Sequence, residues 1–127
     1  MLFRSNYTAK PFKFYDMSQF SFNRKERIKK RSDFLAIYKN GQNFETRHFR
    51  ITVIANKREF RRLGLSVSKK TGGAVQRNYV KRRLREYFRL SKELFPINSD
   101  IIITVKHGAA DKSYNDMKSE LSNLLPI

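Results

Sequence analysis

The apolar positions of this chain follow two periods, and the switches between them mark out its elements. Phe34, Ile37 and Tyr38 recur at helical spacing. Ser32 precedes them as the expected N-cap, Asp33 puts a negative charge in the first turn, and Asn40-Gly41 supplies a stop. Residues 48–55 alternate instead, with Phe49, Ile51 and Val53 on one side and Arg50 and Thr52 on the other. That alternation predicts a half-buried strand, with a short strand over 42–45 before it. Leu63, Leu65 and Val67 give a further strand over 62–68, and the polar residues 56–61 read as a hairpin connection between the two.

Residues 69–73 read as a turn, and 74–90 carry the longest helical signal, with Val80, Leu84, Tyr87 and Phe88 on one stripe. After a loop over 96–100, residues 101–106 (Ile-Ile-Ile-Thr-Val-Lys) form an apolar, β-branched run suited to the centre of a sheet. A last helix is expected over 113–125, with Tyr114, Met117, Leu121 and Leu124 inward and Pro126 ending it. The order is α-β-β-β-α-β-α. It describes an α+β fold: a small, mostly antiparallel four-stranded sheet with helices packed on it and a crossover through the long helix. Residues 1–22 hold Phe12, Phe14, Tyr15, Phe20 and Phe22 without a period, and read as an irregular arm ahead of one domain over 23–127. A floppy extension, or a true start at Met17, accounts for that arm better than a transit peptide, whose amphipathic Arg/Ser pattern is missing.

Charge changes this picture. The 127 residues hold 28 Lys and Arg against 11 Asp and Glu, a net charge of +17. Residues 57–89 hold twelve basic and two acidic residues, whereas 90–127 come out at −1. A solubility coat mixes both signs; a positive face concentrated in mid-chain points to a polyanion, nucleic acid before membrane. The chain has no cysteine, which excludes disulfides, zinc ribbons and thiol nucleophiles and fits a reducing compartment. Its apolar runs are only a few residues long, too short to span a bilayer.

The chemistry concentrates in residues 72–89. On a helical wheel Arg77, Lys81 and Arg85 line up at i, i+4 and i+8, with Asn78, Arg82 and Arg89 beside them. One side of the helix is left for the core and the other for a cationic ridge. Successive cations there stand roughly 6 Å apart along the axis, a spacing that suits a phosphate backbone. Like charges at this spacing destabilise a helix, and only Glu86 offsets them within it, so an external anion explains the pattern best. Lys69 and Lys70 lie just upstream, and Gly72-Gly73 is either an anion seat at the helix start or a plain turn. Phe34 and Tyr38 either stack on unpaired bases or plug the core, and Arg50 and Thr52 put polar groups on a sheet face that could line an RNA groove. His48 and His107 have no neighbouring Ser or carboxylate that suggests a triad, and the acids are scattered singly. No catalytic residue and no metal ligand is assigned.

Three blocks together resemble the protein component of bacterial ribonuclease P. They are Ser-Asp-Phe-Leu-Ala-Ile-Tyr-Lys-Asn-Gly over 32–41, Arg-Leu-Gly-Leu-Ser-Val-Ser-Lys-Lys over 62–70, and Ala-Val-Gln-Arg-Asn-Tyr-Val-Lys-Arg-Arg-Leu-Arg-Glu over 74–86. The match runs from about residue 23 to 125. It implies a left-handed β-α-β crossover and a ribonucleoprotein that removes the 5′ leader of precursor tRNA, an endoribonuclease only together with its RNA. The catalyst is then the RNA subunit with its Mg²⁺ ions, the setting is cytoplasmic, and neither a membrane nor a protein partner is needed. Arg77, Asn78, Lys81, Arg82, Arg85, Lys69, Lys70 and Arg89 would face the catalytic RNA. Phe34, Tyr38, Arg50 and Thr52 would meet the leader. This chain departs from the pattern at Tyr79, where the signature usually has arginine, at Gly73, where asparagine is common, and at Thr52, where an aromatic often stands. A general nucleic-acid-binding protein, a protein nuclease and a membrane-surface protein are the competing readings.

Overall fold

Ile101, Ile102 and Ile103 explain the layout of the sheet, because a run apolar on both sides is stable only when both sides are covered. The computed structural model describes Phe22 and residues 24–124. In it α1 (Arg31–Asn40) is followed by β1 (Gln42–Glu45), β2 (Phe49–Ala55), β3 (Arg62–Val67), α2 (Ala74–Leu90), β4 (Ser99–Val105) and α3 (Tyr114–Leu124). The strands form one sheet in the order β1-β2-β4-β3. β4 pairs antiparallel with β2 and parallel with β3, so the sheet is mixed and α2 makes the crossover. All three isoleucines are fully buried.

The expected hairpin between β2 and β3 does not form. β4 inserts between them, since a β2–β3 pairing would leave the most apolar strand at an edge. Residues 56–61 instead pass around the end of β4, where the Asn56 N–H donates to the Asn98 carbonyl at 2.7 Å. Strand β4 also begins two residues earlier than the apolar run suggests, because Ser99 and Asp100 continue the pairing with Ala55 and Ile54.

The two sheet faces are covered unequally. Alternation sends Phe49, Ile51, Leu63, Ile101, Ile103 and Val105 to one face, where they meet Val80, Leu84, Tyr87 and Phe88 of α2 and Met117 and Leu121 of α3. The Tyr87 hydroxyl lies 3.3 Å from the Ser122 hydroxyl and ties the two helices together. On the other face a smaller cluster joins Ile28 and Ile37 to Ile102, with Phe34, Tyr38 and Ile54 at its margin. Helix α1 covers only part of that face.

The start of α1 differs from the sequence reading, while its stop falls at Asn40-Gly41 as expected. The helix starts at Arg31, so Ser32 lies inside its first turn and Lys30 occupies the cap position without a side-chain cap. Gly41 ends it with φ at −81°, not in the left-handed region. Glycine is needed there for space: a Cβ would stand 2.7 Å from both the Ile37 carbonyl oxygen and Thr52 Cγ2. The first residue described, Phe22, already belongs to the body, its ring edge-on to Phe88 at 5.4 Å. The rest of the proposed arm over 1–22, and the Leu125 and Pro126 end of the last helix, lie outside the described residues.

A buried ion pair fixes α1 to the sheet. Arg62 donates through Nε and Nη2 to the two carboxylate oxygens of Asp100 at 2.8 and 2.6 Å, and Asn56 Nδ2 adds a third bond at 2.8 Å. Asp33 of α1 approaches the same guanidinium at 3.6 Å. Burial works against ionisation of Asp100, but the bonds from Arg62 and Asn56 outweigh it and hold the carboxyl below the ordinary value of 3.8. A depressed carboxylate stabilises the fold above its unfolded pKa, and that contribution is lost as pH falls through the folded value. Asp100→Asn is therefore expected to cost about 3 kcal/mol at neutral pH. It should also flatten the acid limb of stability below about pH 4, followed by urea unfolding across pH. Parallel curves for both proteins from pH 7 to 3 would refute this account.

Candidate nucleic-acid interface

Helix α2 divides its surface between core and solvent as its stripe predicts. Val80, Leu84, Tyr87 and Phe88 are fully buried, while Asn78, Arg82 and Arg85 are exposed and Arg77, Lys81, Arg83 and Arg89 are half-buried. The expected cationic row is not uniform. Arg77 Nη1 donates to the Gly72 carbonyl at 3.0 Å, bracing the turn before the helix. Arg89 Nη2 donates to Glu86 at 2.8 Å and so carries its counter-charge with it. Lys69 and Lys70 are exposed on a 3-10 turn, Lys69–Thr71, immediately upstream. Of the two readings of Gly72-Gly73, the structure favours the turn: the Gly73 N–H is already taken by the Gln76 side chain at 2.9 Å. Gly72 itself has φ at +151°, a conformation that side chains disfavour.

Lys81 and Arg85 do not simply project into water. They line one wall of a hollow of about 150 Å³ whose opposite wall is Arg27 and Lys29 and whose apolar lining is Phe22, Ile28, Leu63 and Leu65. Arg27 reaches it because residues 27 and 28 run alongside β3, with a bridge from Arg27 to Leu63 and the Ile28 N–H donating to the Leu63 carbonyl at 2.9 Å. The Arg27 guanidinium sits over the Phe22 ring at 4.8 Å. Burial, and then the neighbouring Arg27, lower the proton affinity of Arg85 below the ordinary arginine value. Four cations thus face one small concavity with no carboxylate among the described residues of its lining, an arrangement that a phosphate group neutralises. Arg27 and Lys29 stand in the basic stretch before α1, yet nothing local in the sequence pairs them with α2.

The second surface is the part of the sheet that α1 leaves open. Phe34 rests on Gly64 of β3, where a Cβ would stand 2.8 Å from the ring. Its centroid is 6.2 Å from that of Tyr38, whose hydroxyl lies 3.4 Å from Thr104 Oγ1. Arg50 pairs across the sheet with Thr104 and with Glu45. Its Nε donates to Glu45 Oε1 at 3.2 Å, and Lys106 Nζ donates to the same oxygen at 2.8 Å. Those two cations, Lys106 foremost, keep the Glu45 carboxyl below its usual pKa.

Thr52 is the exception among the expected residues of this face. It is fully buried, and its hydroxyl donates to Asn43 Oδ1 at 2.7 Å, because β1 and Gly41 cover it. The sequence reading missed Thr104, Glu45 and Lys106. Thr104 and Lys106 are the polar positions of the otherwise apolar run 101–106, so that signal was available; Glu45 depended on β1 pairing beside Arg50.

His48 has a carboxylate partner that the sequence did not suggest. Glu120 of α3 accepts from the His48 backbone N–H and faces His48 Nδ1, both at 2.9 Å, and also accepts from the Thr46 hydroxyl. The hydroxyl is bonded to the carboxylate and not to the imidazole, so this is a brace between a loop and α3 and not a nucleophile–base pair. Among the described residues no three His, Asp or Glu side chains are grouped to hold a metal ion, and no helix is long and apolar enough to cross a membrane.

The family described as Ribonuclease P matches residues 22–126. The chain is 43% identical to the ribonuclease P protein component of Syntrophus aciditrophicus over 109 residues, covering 86% of this chain and 92% of that one. To the ribonuclease P protein component of Staphylococcus epidermidis it is 44% identical over 103 residues, covering 80% and 88%. Among solved structures, the Staphylococcus aureus RNase P protein superposes with a TM-score of 0.73 at 39% identity, over 78% of this chain and 91% of that one. The Thermotoga maritima RNase P protein does so with 0.72 at 33%, over 79% and 94%.

Glu45 occupies two cations that would otherwise be open to a polyanion. Glu45→Gln should therefore raise affinity for a single-stranded polynucleotide about threefold at low salt, with the gain fading at high salt. Fluorescence anisotropy with a labelled oligouridylate checks it; an unchanged or weaker affinity would show that Glu45 does not restrain Arg50 and Lys106.

Proposed function

The chain belongs to the ribonuclease P protein component family, and we propose that it binds the catalytic RNA of that ribonucleoprotein through α2 and the 5′ leader of precursor tRNA through the open sheet face. Membership carries with it an RNA-binding role in endonucleolytic tRNA processing. The finer assignment rests above all on one observation: the hollow where Lys81 and Arg85 of α2 meet Arg27 and Lys29 without a carboxylate among the described residues of the lining. Asn78 and Arg82 extend this surface along the exposed side of the helix, and Lys69 and Lys70 extend it upstream. Arg77 takes part by holding the turn that leads into α2, and Arg89 only with Glu86 attached.

The leader is assigned to the other face. Phe34 and Tyr38 give ring surfaces one helical turn apart, Arg50 and Lys106 give charge, and Thr104 gives a hydroxyl at the base of the cleft. Flexible single strands bind such surfaces by stacking and by phosphate contact, with little demand on sequence. In this reading the protein places and screens the two RNAs, and cleavage belongs to the RNA subunit. Mg²⁺ would be held by RNA phosphates and supply the chemistry at the scissile bond. The complex works in the cytoplasm and calls for no further protein.

Three experiments test the assignment. The purified protein should leave precursor tRNA intact, and adding the family's catalytic RNA at low magnesium should restore leader removal; failure to do so would overturn the reading. Arg82→Ala should lower affinity for that RNA and reduce the log–log salt slope by about 0.7 to 0.9. Tyr38→Ala should reduce the preference for leader-bearing over leaderless tRNA about tenfold, while Tyr38→Phe keeps it. Equal effects of Tyr38→Ala on both substrates would move the leader elsewhere.

A further inference from the structure

The flank of α2 that faces away from the hollow holds a feature the functional reading does not use. Tyr79 interrupts the basic residues of the helix, and its ring lies half-buried against the margin of the main core. One turn on, the Arg83 guanidinium sits over that ring, 4.7 Å from its centroid. None of the ion pairs among the described residues involves Arg83. Its Nε is buried and makes no hydrogen bond. The Tyr114 hydroxyl of α3 is likewise buried without a partner, and burial raises its pKa above the ordinary tyrosine value.

A guanidinium resting on a ring has lost much of its conformational freedom while keeping its full charge. The ring shields one face of it from water, which strengthens whatever the remaining donors bind. Such an arrangement would be a poor choice for stability alone, because a buried donor without a partner costs free energy. The buried Nε stays out of a ligand's reach, so an acceptor from outside would meet the Nη groups. The rest of the helix indicates which acceptor: the exposed crest beside this flank carries Arg82, so a polyanion lying along α2 brings phosphate oxygens to Arg83 as well.

We propose that Tyr79 and Arg83 form a preorganised phosphate-binding pair on the second flank of α2, so that the RNA partner is gripped from both sides of the helix. This rests on the reading of α2 as an RNA-binding helix. Tyr79 is then a positioning residue that acts through Arg83, and Arg83 makes the contact.

The test uses the full chain and the ribonuclease P RNA, with binding followed across a salt series and thermal melting of every variant. Arg83→Ala should weaken binding about tenfold and lower the salt slope by about 0.7 to 0.9, as one lost phosphate contact requires. Tyr79→Phe keeps the ring and should bind like the parent. Tyr79→Ala should weaken binding with the slope unchanged, since the charge remains but is no longer held in place. Arg83→Lys keeps the charge and loses the planar fork; it should keep the slope and lose several-fold in affinity, and it decides the matter should Arg83→Ala fail to fold. An Arg83→Lys variant equal to the parent, or an Arg83→Ala variant that melts lower yet keeps the full slope, would reduce the pair to an internal stack and overturn the proposal. The Arg82→Ala variant separates the two levels. If it flattens the slope and Arg83→Ala does not, this inference alone fails; if neither does, the RNA-binding reading of α2 fails with it.

Discussion

Everything on the functional side of this molecule depends on burial of one stripe of α2. Val80, Leu84, Tyr87 and Phe88 are removed from water against the sheet. Each contributes roughly 1.5–3 kcal/mol. Along the other side Arg77, Lys81, Arg85 and Arg89 stand at i, i+4 spacing and repel one another by only a few tenths of a kcal/mol per pair. Burial wins by a wide margin, so the helix can hold its cations in place before any partner arrives. The charge is tolerated because the core absorbs its cost, and it is useful because the helix cannot turn away.

The sheet converts that single constraint into two separate surfaces. β4 runs through its middle, and its alternation sends Ile101, Ile103 and Val105 toward α2 and α3 while Ile102 and Thr104 face α1. The first face is sealed by two helices. The second is half-covered, and the Arg62–Asp100 pair with Asp33 fixes where the cover stops. What remains is the aromatic edge of α1, Phe34 and Tyr38, beside polar strand residues. One surface is thus a ridge with a cationic hollow at its side, the other a cleft, and the proposed division between a structured RNA and a single strand follows from those shapes.

Several carboxylates among the described residues hold parts of the scaffold together. Glu26 holds Lys92, Glu120 braces His48, Asp100 holds Arg62, and Glu45 gathers Arg50 and Lys106. Among the described residues no carboxylate lines the hollow between Arg27 and Arg85. Within α2 only Glu86 stands among the cations, bound to Arg89; the other ion-paired acids lie on α1, the strands, the connections and the last helix, where they order the scaffold.

The sequence by itself determined each element taken alone. The 3.6-residue stripe bounded α2 at residues 74 and 90, the alternation placed β2 and β3, and the blocks around Phe34, Leu63 and Arg77 indicated the family. These are local properties, carried by the spacing of residues within one segment. Tertiary structure decided what touches what. It put β4 between β2 and β3 and buried Thr52 beside Asn43 of β1 and Gly41. It brought Arg27 and Lys29 to the side of α2, and it gave His48 its partner 72 residues away. The physical reason is that strand order and the meeting of distant side chains are set by which apolar surfaces must be covered at once. No spacing within a single segment carries that information.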